Sequence, residues 1–263
     1  MKKTLLILTI FAIAMGLLET AVVIYLRDIL YPGGFEFPLN PVRPDLVWTE
    51  ILRELATLVM LLTVGILAGR AVSDRFAWFL YAFAIWDIFY YVFLWALVGW
   101  PESLKTWDVL FLLPVTWTGP VISPIIVSST MILLALLILK AGTPASSVSG
   151  NGLEDESGID ADEVVLQSPP VRIPKLSWIL LISGSLILIT AFTWDYSGFV
   201  LEKMSFRDIW TLPGTQVHAL VHQYIPRHFN WWLFSLGELV ILSGIYVFWK
   251  RSRANSLSEH VSD

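Results

Sequence analysis

Six apolar stretches run through the chain, at about 4–26, 46–69, 76–99, 120–140, 176–194 and 230–249, with polar or proline-containing segments between them. A helix needs roughly 20 predominantly apolar residues to cross a bilayer, and each stretch meets or approaches that length. Backbone groups in hydrocarbon must be bonded within their own segment, so the pattern predicts helices. The predicted fold class is all-α: a polytopic membrane protein built as a six-transmembrane-helix bundle. The Met1-Lys2-Lys3 start and Ala12-Ile13-Ala14 resemble a cleavable leader, but the apolar run continues to Leu26, so the first helix reads as retained.

One segment breaks the regularity. Between Leu112 and Pro124 the chain is apolar enough for membrane depth, yet it holds Pro114, Gly119, Pro120 and Pro124. Proline removes a backbone donor and disrupts a helix interior. The reading is a broken or re-entrant segment spanning 106–124: a short helix from about 103 to 113, a break, then helix 4 starting near Pro120. The start of that helix would offer free N–H groups to an anion or polar ligand.

The polarity of the ends sets the expected orientation. Lys2, Lys3, Arg70, Arg75, Lys140, Arg172, Lys175, Lys250, Arg251 and Arg253 fall on one side; Arg27, Arg43, Lys105, Lys203, Arg207 and Arg227 fall on the other. The positive-inside rule puts both termini in the cytoplasm, with a prokaryotic plasma membrane as the expected location. The outer connections, about 27–45, 100–119 and 195–229, are longer and richer in proline, glycine and tryptophan, so structured outer loops are expected. Three units follow. Residues 1–140 form a four-helix membrane unit, and 141–175 a disordered acidic cytoplasmic linker. Residues 176–263 form a two-helix membrane unit with an outer histidine-containing loop and a short cytoplasmic tail.

Composition agrees and narrows the function. The chain is 56% hydrophobic and 15% charged, with mean hydropathy +0.69, which a soluble domain of this size would not carry. There is no cysteine, which excludes disulfides, thiolate metal ligands and cysteine nucleophiles. The net charge of −5 belongs to Glu154, Asp155, Glu156, Asp160, Asp162 and Glu163 of the linker, so it implies no basic partner. No phosphate-binding loop or nucleophile elbow occurs, and nothing points to nucleic acid.

The chemistry-bearing pattern is a set of acids within the apolar spans. Glu19, Glu50, Glu54, Asp87 and Glu238 sit where a charge costs at least about 2.5–3.5 kcal/mol. The helical rise places them between the midplane and the outer third of the membrane. Glu50 and Glu54 share a helix face, with Arg53 beside them, and Asp87 has Tyr90 and Tyr91 one turn on. These eight residues are the candidate ligand-binding set. A purely structural account also exists, in which Arg53 neutralises Glu50 or Glu54 and tyrosines bond Asp87. Outside the spans, His218 and His222 are four apart on a short amphipathic stretch, a spacing that lets both reach one ion. With Glu54 and Asp87 they form a candidate set for a divalent metal ion.

Three function classes remain open on this pattern. One is a metal-binding or redox enzyme or subunit, with Tyr90, Tyr91 or Trp86 relaying charge. Another is a cation- or proton-coupled transporter or channel. The third is a non-catalytic subunit or assembly factor. The lipid bilayer is the expected partner, with a membrane-protein partner or a second copy beside it.

Overall fold

The computed structural model describes residues 1–40, 44–112, 115–142, 171–205 and 223–259. Among them are six helices: α1 Lys2–Leu30, α2 Pro44–Ala68, α3 Val72–Val98, α4 Ile122–Ala141, α5 Lys175–Lys203 and α6 Trp231–Glu259. All six are long and apolar enough to cross a membrane. Their outward faces carry exposed apolar side chains such as Leu6, Ile10, Leu55, Ile182 and Leu239. In water such a surface would be a liability; in lipid it is the solvated face. The chain is an integral membrane protein with an all-α, six-helix architecture.

Local chemistry sets several helix ends. Asp74 in the first turn of α3 accepts the Ala71 N–H at 3.4 Å, which satisfies one of the orphan donors of a helix start. Gly99 closes α3 in the left-handed region, with φ +68, a conformation that excludes most side chains. Asn230 caps α6, its Oδ1 accepting the Leu233 N–H at 3.0 Å. Helix α5 runs nine residues past the expected apolar end and carries Trp194, Asp195 and Tyr196 in helical register.

Helix α3 is the hub, packing on α1, α2 and α4, while α5 packs on α6. The two groups meet where α4 touches α6 and the segment before α4 lies on α5. Two glycine contacts fix how near the helices come. A Cβ on Gly16 of α1 would lie 3.1 Å from the Trp86 carbonyl oxygen of α3. One on Gly184 of α5 would lie 2.9 Å from the Gly237 carbonyl oxygen of α6 and 2.5 Å from Ile241 Cγ1. Backbone therefore rests on backbone in both places, the packing that small residues permit between membrane helices.

The segment before α4 is interrupted backbone, but its form differs from the expectation. No short helix forms at 103–113. Strand β1 Trp107–Phe111 pairs antiparallel with β2 Trp117–Pro120, with Asp108 opposite Gly119 and Val109 opposite Thr118. Alternating Trp107, Val109 and Phe111 favour a strand. The hairpin also lets the non-helical backbone bond to itself at the end of the bundle, the requirement that makes irregular chain tolerable near lipid. Pro120 sits at the strand end, where its missing N–H costs little. Helix α4 then begins at Ile122.

Aromatic rings weld the hairpin to its surroundings. Trp117 stacks on Phe192 of α5 with centroids 5.8 Å apart, and Trp107 meets Phe229 edge-on at 6.1 Å. The tryptophans of this end thus form a packed cap as well as an interfacial belt.

Candidate functional site

A cavity of about 70 Å³ lies between α1, α2, α3 and the hairpin. Helix α1 lines it with Glu19 and Val23, and α2 with Arg53, Glu54 and Thr57. Helix α3 adds Trp86, Asp87, Tyr90 and Tyr91, and β1 closes it with Val109, Leu110 and Phe111. Such a space takes a few waters or one small hydrated species, not a large organic substrate.

Six of the eight sequence-derived candidates line this one cavity: Glu19, Arg53, Glu54, Asp87, Tyr90 and Tyr91. Glu50 stands just behind, its Oε2 accepting from Arg53 Nε at 2.8 Å and from Nη2 at 2.7 Å. Glu238 is elsewhere. It is buried between α6 and α4, where Thr130 Oγ1 donates to its Oε2 at 2.9 Å. Equal depth along the membrane normal did not bring it to the same site.

The cavity's charges divide into satisfied and unsatisfied. Arg53 bridges two helices, donating to Glu50 of its own helix and through Nη1 to Glu19 of α1. Thr57 Oγ1 adds a long contact to Glu19 Oε2 at 3.5 Å. That triad is structural in character: one guanidinium holds two carboxylates and ties α1 to α2. Glu54 is different. Both its oxygens sit 3.0 Å from the Leu112 backbone N–H at the end of the hairpin, and among the described residues no cation pairs with it. Asp87 accepts from Ser128 Oγ of α4 at 2.8 Å, again with no cationic partner among the described residues. A carboxyl group in a low-dielectric site is reconciled with it by an ion pair, a proton or a bound cation. Glu54 and Asp87 lack the first.

A second charged pair, which the sequence reading did not single out, adjoins the cavity on the hairpin side. Asp108 of β1 is almost fully buried and accepts from Arg27 Nη2 at 2.9 Å through Oδ1. Tyr91 donates its hydroxyl to the other oxygen at 3.3 Å, and the Val109 N–H caps Oδ1 at 2.9 Å. Burial pushes the Asp108 carboxyl above the usual carboxylate range, while the Arg27 charge, the Val109 N–H and Tyr91 pull it partly back. The Arg27 guanidinium packs against two rings, 3.8 Å from the Trp100 centroid and 4.3 Å from that of Phe35. No periodicity marks Arg27 or Asp108. The available signal was an arginine closing an apolar helix in a chain whose facing loops are rich in aromatics.

One more group is left over. Trp86 is 6% exposed, lines the cavity, and its indole N–H finds no acceptor among the described residues. Native structures leave few such donors unsatisfied.

His218 and His222 lie outside the described residues. Among the described residues no three histidine or carboxylate groups are placed to hold a metal ion. His228 is exposed, and its backbone N–H donates to Asp195 Oδ1 at 3.3 Å. Asp195 also accepts from the buried Tyr224 hydroxyl at 2.8 Å, and Tyr224 shares a 2.8 Å bond with Thr118 of β2. This network fastens the segment before α6 to α5 and the hairpin. It lies apart from the cavity.

No known protein family, no curated protein and no solved structure matches the chain, so its functional reading rests on this geometry.

Proposed function

We propose that the protein is a proton- or cation-handling transporter or channel, and that the α1–α2–α3 cavity is its binding site. The observation that carries this is the pair Glu54 and Asp87, two carboxyl groups within the membrane that line one small polar cavity without a cationic partner among the described residues. Acids so placed commonly serve ion and proton pathways. The Glu19–Arg53–Glu50 triad then frames the site, and Glu54 and Asp87 take up the charge.

A divalent-metal or redox centre is less well supported. A protein metal site supplies three or four ligands, and the described part of this one offers two uncompensated carboxylates. His218 and His222 would have to complete it. We also read both termini as cytoplasmic, in a prokaryotic plasma membrane, with 141–175 as a tether between the 1–140 and 176–263 units; the skewed basic residues support this. The chain has no cysteine, so a single Ser258→Cys reports the side of the C-terminal tail. Labelling by an impermeant maleimide from outside intact cells overturns that orientation.

The functional test is reconstitution into liposomes with fluxes of H⁺, Na⁺, K⁺ and a divalent cation measured in parallel. The wild type should carry at least one of these above empty vesicles. Glu54→Gln and Asp87→Asn should each lower that flux tenfold or more. Wild-type vesicles as tight as empty ones to all four ions, or full flux in both variants, sinks the proposal.

A further inference from the structure

We infer that the species crossing between this cavity and the hairpin end is a proton, handed through Tyr91 and Asp108, and that Arg27 is the positive barrier that holds other cations back. This rests on the reading of the cavity as an ion site and names what the site carries.

Three observations point the same way. The first is the unsatisfied indole N–H of Trp86 in the cavity wall. A bare cation gives an N–H donor nothing to bond. Water accepts from an N–H with an oxygen lone pair and donates to carboxyl oxygens with its hydrogens, so it suits a wall that mixes donors and acceptors. The space admits it.

The second is the connection out of the cavity. Tyr91 lines the cavity and its hydroxyl reaches Asp108 Oδ2 at 3.3 Å. That is long for an O–H···O bond, and a shift of about half an ångström brings it to the ordinary 2.7–2.8 Å. A hydroxyl bridging two polar sites relays a proton without moving itself. As Tyr91 gives its proton to Asp108, its oxygen takes one from cavity water, and a protonated Glu54 or Asp87 carboxyl restores that water and becomes the carboxylate. The Tyr91 O–H bond that breaks is replaced, and no net charge stays on the ring. Asp108 then gives up its proton to a water admitted beside Arg27, the partly exposed member of the pair. The charged and titratable groups facing Asp108 are Arg27 from α1 and Tyr90, Tyr91 and Asp87 from α3.

The third is the position of Arg27. Its side chain is 15% exposed and that of its partner Asp108 is 2% exposed, so Arg27 stands between the relay carboxylate and the hairpin-end surface. Trp100 and Phe35, set edge to face, hold its guanidinium in their corner. A fixed positive charge at a narrow opening repels cations. A proton arriving on water and leaving through a hydrogen bond needs no opening of cation width.

The test uses the whole protein in liposomes with an internal pH dye, driven by a K⁺ gradient with valinomycin, and with Na⁺ exchanged for an impermeant organic cation. Proton flux should persist without Na⁺. Tyr91→Phe, which removes one hydroxyl and keeps the ring, should lower it tenfold or more, as should Asp108→Asn. Arg27→Gln should open a Na⁺ leak that the wild type lacks. If Asp108→Asn does not fold, Tyr91→Phe alone decides. Flux that requires Na⁺, or that is unchanged in Tyr91→Phe, overturns the relay and leaves the cavity as a cation site. Vesicles tight to every ion overturn the cavity reading itself.

Discussion

The contact between α1, α2 and α3 and the contact between α5 and α6 each contain an acid in an apolar helix, yet they are built by opposite means. At α5–α6 the helices close on glycine. Gly184 and Gly237 let backbone touch backbone, and Glu238 bonds a threonine of a third helix through Oε2, its Oε1 buried without a partner among the described residues and away from the α1–α2–α3 cavity. At α1–α2–α3 the helices also approach on glycine, at Gly16 and, at the far end of α2, at Gly65 and Gly69. Higher up, side chains of Glu19, Arg53, Glu54 and Asp87 hold them apart around a polar space. An acid in a span therefore does not mark a site. What sets the proposed site apart is that several acids and one arginine line a shared cavity.

The largest effect expected from breaking this contrast is at Arg53. Arg53→Gln leaves Glu19 and Glu50 facing each other without their cation. Removing one partner of a buried pair costs about 3–5 kcal/mol, so the variant should lose most of its thermal stability in detergent, or fail to accumulate. Stability within 1 °C of the wild type would instead show that the triad is solvated. A smaller loss is expected on the other side of the comparison. Gly184→Leu forces side-chain atoms into the Gly237 carbonyl and Ile241, and overpacking costs about 1–3 kcal/mol. Its melting temperature should fall while any residual ion flux per folded molecule is kept; a selective loss of flux would place α5–α6 in the pathway. The smallest effect sharpens the distinction. Glu238→Gln keeps the Thr130 bond, and its stability should shift by under about 0.5 kcal/mol. Its flux should equal the wild type's where Glu54→Gln abolishes it. Equal loss in both variants would erase the difference between the two acids.

The helices were legible because a bilayer demands length and apolarity, and residues 76–99 or 120–140 advertise both. The apolar run predicts an end to α5 at about 194, and the helix continues through Asp195 to Lys203. It stays helical because Tyr224 and the backbone N–H groups of Arg227 and His228 bond its carboxylate. The hairpin was mistaken for a short helix because five residues carry too little periodicity to separate the two. Much of the candidate site followed from helix geometry, since Glu50, Arg53 and Glu54 must share a face. What no spacing could give was partnership across the fold. Glu54 is held by a main-chain amide, which every residue offers alike, and Asp108 by Arg27, eighty-one positions away. Depth alone also misled at Glu238, because depth fixes one coordinate and a site needs three.

The attachment of α2 has a further consequence. At the end far from the hairpin, Gly65 and Gly69 press it against the start of α3, with no room for even a Cβ. At the hairpin end, its bonds across the cavity rim run through charge: Arg53 to Glu19, and Glu54 to the Leu112 amide. One end is a steric pivot and the other an electrostatic tether. A proton added to Glu54 would weaken one of the two bonds at the hairpin end and leave the glycine contacts untouched, so the two ends of α2 answer to different chemistry: one to shape, the other to charge.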